Sequence, residues 1–145
     1  MNAYKLLKDK QQKEMNAFPL GAAFSNAQFE QMMQKWGLTV RDTDKICSLG
    51  GGCYLRKTDF TAFMEMIKRF EREKAEAIEK DSSGNGFIYD MFLYELANHE
   101  YCITYELDDT LYALGLTEEQ VNSDKRLSHG LKKAIKDYLK NAEDY

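Results

Sequence analysis

Asp81-Ser82-Ser83-Gly84-Asn85-Gly86-Phe87-Ile88 has the opening of a calcium-binding loop: an acid at position 1, side-chain oxygens at 3 and 5, a turn glycine at 6 and isoleucine at 8. The match fails where the ion would be gripped. Position 12 calls for a bidentate carboxylate but is Phe92, and Glu95 lies nearly a helical turn too late, so Asp81 alone brings formal charge. The same residues have a plainer use, in which the glycines turn the chain at positive φ and Asp81 or Ser82 bonds local amides. A second run, Gly50-Gly51-Gly52 to Lys57-Thr58, contains the ingredients of a phosphate loop. There the Lys-Ser/Thr pair must directly follow the glycine turn and open a helix, whereas here a strand-like segment intervenes. A hairpin turn accounts for the glycines, although an anion could still sit where Lys57-Thr58 opens the next helix.

Thiols and imidazoles form the other chemical candidates. Cys47 and Cys53 flank the glycine turn and could face each other across it. One thiol pair lacks the four ligands of a structural zinc site, and a structural disulfide would be unusual in the cytosol, so two buried apolar cysteines are the default. His99 and Cys102 have the composition of a nucleophile pair, but no third orienting group is apparent, and a histidine near a helix C-terminus is explained by capping. His129 falls in the first turns of the last helix. The spacing calls for no metal and no cofactor.

Charge is distributed unevenly. The 145 residues carry 20 basic and 24 acidic side chains, a net of −4, yet from Asp81 to Gln120 there are nine carboxylates and no lysine or arginine. Within that stretch Asp90, Glu100, Glu106, Asp108, Asp109, Glu118 and Glu119 are interleaved with Tyr101, Tyr105 and Tyr112. Two readings compete. Either the acidic centre is screened by the basic flanks and the tyrosines close the edge of the core, or these ten residues form a surface for a basic, nucleic-acid-binding protein. Such a surface would use cation–π and carboxylate–guanidinium contacts and would imitate a run of phosphates. Asp108-Asp109 and Glu118-Glu119 also suit the first turns of helices without any chemistry.

The elements that must position these residues follow from periodicity. Tyr4, Leu7, Gln11 and Met15 stripe a helix that ends before Pro19, and Phe18 to Phe24 is extended. Ser25 with Gln28 is a capping box for a helix burying Phe29, Met32, Met33 and Trp36. Segments 45–49 and 53–56 make a hairpin. Thr58 is expected to cap a long helix whose first half buries Phe60, Phe63, Met64, Ile67 and Phe70 and whose second half is a solvated charged rod. Phe87 to about Asn98 is apolar on most sides and should lie at the centre of the core, followed by a short helix closed by Gly115, a second capping box at Thr117 and Gln120, and a last helix striped by Leu127, Leu131, Ile135, Tyr138 and Leu139. The fold class expected is α+β, mostly helical, with five to six helices and a small antiparallel sheet or β-hairpin in a single compact domain over 1–145.

No apolar stretch approaches the roughly 20 residues of a membrane span, and the N-terminus lacks a secretory pattern. Three cysteines fit a reducing cytoplasm better than a disulfide scaffold. The negative net charge argues against a direct nucleic-acid coat, and nothing in the spacing fixes an oligomeric state.

Four segments, Ser48–Gly52, Gly86–Tyr101, Leu111–Leu116 and His129–Ile135, resemble a family of short uncharacterised proteins found on plasmids, phages and integrated elements of gut Gram-positive bacteria. The resemblance extends from about Phe18 to Lys136 and carries no catalytic residues. It implies an accessory factor of a mobile element, of the kind that includes anti-CRISPR inhibitors of nucleases. The leading expectation is therefore a non-enzymatic protein binding a basic partner through the acidic tyrosine-bearing surface. A small enzyme or ligand-binding protein using Gly50–Thr58 with His99 or Cys102 is the alternative, and a nucleic-acid module using the lysines of the first and last helices is a third.

Overall fold

Ser25 and Thr117 start helices for the same local reason: each hydroxyl accepts a backbone N–H three residues on, from Gln28 at 3.2 Å and Gln120 at 3.1 Å. At Thr117 the reciprocal bond closes, with Thr117 N–H donating to Gln120 Oε1 at 2.9 Å. At Ser25 the glutamine reaches one residue further back and accepts from Phe24 N–H at 2.7 Å. The computed structural model describes residues 1–143. Its order is α1 (Ala3–Ala17), β1 (Gly21–Ala22), α2 (Asn26–Lys35), β2 (Ile46–Gly50), β3 (Cys53–Arg56), α3 (Phe60–Lys80), α4 (Phe87–Asn98), α5 (Tyr101–Thr104), α6 (Asp108–Leu114), α7 (Glu118–Ser123) and α8 (Lys125–Glu143). The class is α+β and mostly helical, as expected. The eight helices exceed the five to six anticipated, because α5 is a single turn and Asp124 separates α7 from α8.

The chain forms two compact units, one made of Met1–Gln11 with the chain from Arg72 onward, the other of Gln12–Glu71. In the second unit, β1, β3 and β2 lie in that order in an antiparallel sheet. The hairpin turn holds Gly50, Gly51 and Gly52 at φ +87°, +59° and +78°, a run of left-handed residues that side chains disfavour, so the glycines serve the turn. Cys47 is opposite Leu55 and Cys53 opposite Gly50, so the two cysteines do not face each other; both are free, and they are half-buried rather than buried as expected, because the short hairpin leaves them at the margin of the core. Ala23, Met32, Met33 and Ile46 form the core, with Phe29, Trp36, Leu38 and Tyr54 packed on it. Two expectations fail here. Thr58 does not cap α3, because Lys57–Asp59 winds into a 3-10 turn first, with Arg56 paired to Asp59 at 2.9 Å. Phe60 is exposed, and Met66 is the buried residue of that helix.

In the first unit α4 is central: Ile88, Met91, Phe92 and Leu96 are fully buried against Tyr4 of α1, Leu111 and Leu114 of α6, Val121 of α7, and Leu127, Leu131 and Ala134 of α8. Burying a side chain of this size contributes roughly 1.5–3 kcal/mol. The loop from Asp81 to Gly86 is pressed against α8. A Cβ on Gly84, at φ +82°, would collide with the Arg126 carbonyl, and one on Gly130 would meet Ile88 Cγ2 at 2.6 Å and the Gly84 carbonyl at 2.8 Å. Arg126 Nη1 donates to the carbonyls of Ile78 (3.1 Å), Glu79 (3.3 Å) and Asp81 (3.0 Å), satisfying the C-terminal end of α3.

Candidate functional site

Of the sequence candidates, the Asp81 loop is consumed by its own backbone. The Asp81 carboxylate accepts from the N–H groups of Gly84, Gly86 and Ile88, each at 3.0 Å. Burial pushes this carboxyl up, and the backbone donors outweigh it and hold it below the usual carboxylate range. Asp81 thus fastens the start of α4. Among the described residues no cluster of three or more His, Cys, Asp or Glu could hold a metal ion.

His99 and Cys102 have separate partners. His99 closes α4, and its Nε2 is 3.2 Å from Glu95 Oε2 without hydrogen-bond alignment. Cys102 Sγ accepts from Tyr138 OH at 3.2 Å; that hydrogen bond and burial push the Tyr138 phenol above its ordinary value. The Gly50–Thr58 segment belongs to the other unit. His129 Nε2 lies 2.7 Å from Asn85 Oδ1.

Sequence reasoning missed Glu95 as a buried group. Its side chain is 1% exposed, yet it accepts from Tyr4 OH at 2.8 Å and Lys8 Nζ at 3.2 Å, with Asn98 Nδ2 at 3.5 Å. Burial pushes Glu95 up, but the donors Tyr4, Lys8 and Asn98 prevail and hold it below the usual range, so it is the charged form that joins α1 to α4. The available signal was its position three residues after Phe92 and four after Met91, on the face of α4 that is otherwise fully apolar.

The remaining carboxylates surround α5, α6 and α7. Thr110, Leu111 and Leu114 turn inward and anchor α6, which leaves Asp108, Asp109 and Tyr112 outward; Val121 does the same for α7 and leaves Glu118 and Glu119 exposed. Glu100 and Glu106 are exposed at either side of α5. None of these six carboxylates makes an ion pair or accepts a side-chain hydrogen bond among the described residues. Interleaved with them, Tyr112 is 88% exposed, Ile103 71% and Tyr105 66%. The one-turn α5 is bracketed by two left-handed residues that are not glycine, Glu100 at φ 52° and Tyr105 at φ 54°. Such residues cost about 1–3 kcal/mol each and concentrate at functional sites.

Two of the ten sequence candidates are not exposed in this way. Asp90 is half-buried and its Oδ2 accepts from Ala3 N–H at 2.8 Å, tying down the start of α1. Tyr101 is half-buried, its ring edge-on to Tyr105 at 5.8 Å and tilted toward Tyr138 at 6.5 Å, so it supports Tyr105 from beneath. The other eight, which share the chain segment from Glu100 to Glu119, are all exposed.

An α+β, mostly helical protein with a small antiparallel sheet and an exposed acid-and-tyrosine segment is the class these observations define. The family model of DUF7659, described as a family of unknown function, matches residues 3–137, and the chain belongs to that family. No curated protein and no solved structure matches it.

Proposed function

We propose that this chain is a non-enzymatic binding protein whose contact surface is the segment from Glu100 to Glu119, and whose partner is a basic protein. The observation that carries this reading is the combination of six carboxylates without ion pairs among the described residues and two strongly exposed tyrosines, with Ile103 exposed in the same segment. Solvated acids need no aromatics among them. Tyrosine is favoured at the centre of interfaces because it offers a large rigid contact with a polar tip, and carboxylates pair bidentately with arginine. In its specific form the proposal is that a cytoplasmic accessory protein of a mobile element occupies the basic nucleic-acid channel of a nuclease, as anti-CRISPR inhibitors do.

The test is a pull-down of tagged protein from bacterial lysate at low and high salt, read by mass spectrometry beside the Glu106→Lys, Asp108→Lys, Asp109→Lys triple variant. The expected result is a basic partner that is released by salt and absent from the variant. A partner retained equally by the variant would sink the proposal.

A further inference from the structure

The lysines of the first and last helices differ in what they face. In α1, Lys5 pairs with Asp9 at 3.3 Å, Lys8 with Glu95 at 3.2 Å and Lys10 with Glu73 at 3.2 Å, and Lys13 is the one lysine of that helix without an ion pair among the described residues. In α8, Lys125, Lys132, Lys136 and Lys140 make no ion pair and no side-chain hydrogen bond among the described residues. Lys133 is only lightly held, its Nζ 3.4 Å from Asn85 Oδ1 and 4.9 Å from the Tyr89 ring centroid. At 3.6 residues per turn these five lysines and His129 fall within an arc of about 100°. All six are exposed, and between Lys125 and Lys140 the arc holds no carboxylate. Asp137 lies beyond its edge and is engaged by Tyr89 OH at 2.7 Å.

We propose that this face of α8 binds the phosphate backbone of nucleic acid without regard to sequence. Charge complementarity names the occupant. A straight row of cations about 22 Å long, at a rise of 1.5 Å per residue, lies alongside a duplex that carries about one phosphate per 1.7 Å of its axis, both strands counted. Lysine is a point charge suited to phosphate, and the row has no arginine to read base edges bidentately. An anionic bilayer is the poorer fit: the apolar side chains of α8, Leu127, Leu131 and Ala134, are buried in the core and leave no apolar face to insert. A protein partner would need an aromatic or arginine anchor, and the row offers none. This proposal is independent of the acidic surface and stands or falls separately.

The experiment is fluorescence anisotropy of a labelled 20-base-pair DNA duplex titrated with the full chain at several salt concentrations. Four to five phosphate contacts give a log–log salt slope of about −4, a loss of about 250-fold in affinity between 50 and 200 mM salt. The Lys132→Gln, Lys136→Gln, Lys140→Gln variant, checked for an unchanged melting curve, should lower that slope by about 3. A Lys5→Gln, Lys10→Gln variant should leave it unchanged. No duplex binding at 50 mM salt, or equal losses in the α1 and α8 variants, would overturn the proposal. Binding to phosphatidylserine vesicles but not to duplex, or self-association at low salt without duplex binding, would overturn it as well.

Discussion

Glu95 and the pair Asp108-Asp109 come from one stretch of chain that contains no lysine or arginine, and they meet opposite fates. Glu95 is enclosed and collects a phenol, an ammonium and an amide from residues as distant as Tyr4. Asp108 and Asp109 sit 13 and 14 residues later on an exposed first turn and hold no side-chain partner among the described residues. A carboxylate that is charged in the interior must be supplied with donors by the fold, so its role is structural. One left bare on the surface beside Tyr112 is free for a partner. The difference shows that the acidity of this stretch is divided between an enclosed structural carboxylate and solvated ones, and that only the solvated ones can belong to the proposed binding surface.

The largest expected effect breaks the interior half of that comparison. Glu95→Ala leaves the Tyr4 hydroxyl buried without an acceptor and Lys8 without its anion, and should lower stability by about 3 kcal/mol, read from urea unfolding. Glu95→Gln sharpens it through pH. The folded Glu95 titrates below its ordinary value of 4.5, so its contribution is complete above that pH and is lost as pH falls through the folded value. The stability gap between wild type and Glu95→Gln should therefore shrink as the solution is acidified below about pH 4.5; a gap independent of pH would contradict a charged Glu95. Next, Tyr112→Ala should leave stability within about 0.5 kcal/mol while weakening the captured partner about 30-fold, a separation that an edge-of-core tyrosine would not show. The smallest effect is at the left-handed entry to α5: Glu100→Gly should stabilise by about 0.5 kcal/mol, since relief of the backbone is partly offset by the flexibility of glycine in the unfolded chain.

What could be read from sequence was what depends on near neighbours. The Ser25 and Thr117 caps, the glycine hairpin and the apolar run of α4 are all settled within a few residues, and each formed. Thr58 was misjudged because the Arg56–Asp59 pair and a 3-10 turn come before α3, a choice that capping rules do not encode. The bare carboxylates were legible as a group, since no basic residue shares their segment. Asp90 was not separable from them by type; only its contact with Ala3, 87 residues away, shows it to be structural. Glu95 was missed for the same reason, its partners being on α1.

That separation has a consequence for the order of events when the chain folds. Tyr4 and Lys8 are made first, yet the carboxylate they serve arrives 91 and 87 residues later, after the whole of Gln12–Glu71 has been synthesised. At about 5–20 residues per second a ribosome leaves the N-terminal helix without its partner for several seconds, long enough for the intervening unit to fold on its own. Closure of so long a loop is then a late step, and the rate of refolding should depend on α1 reaching α4.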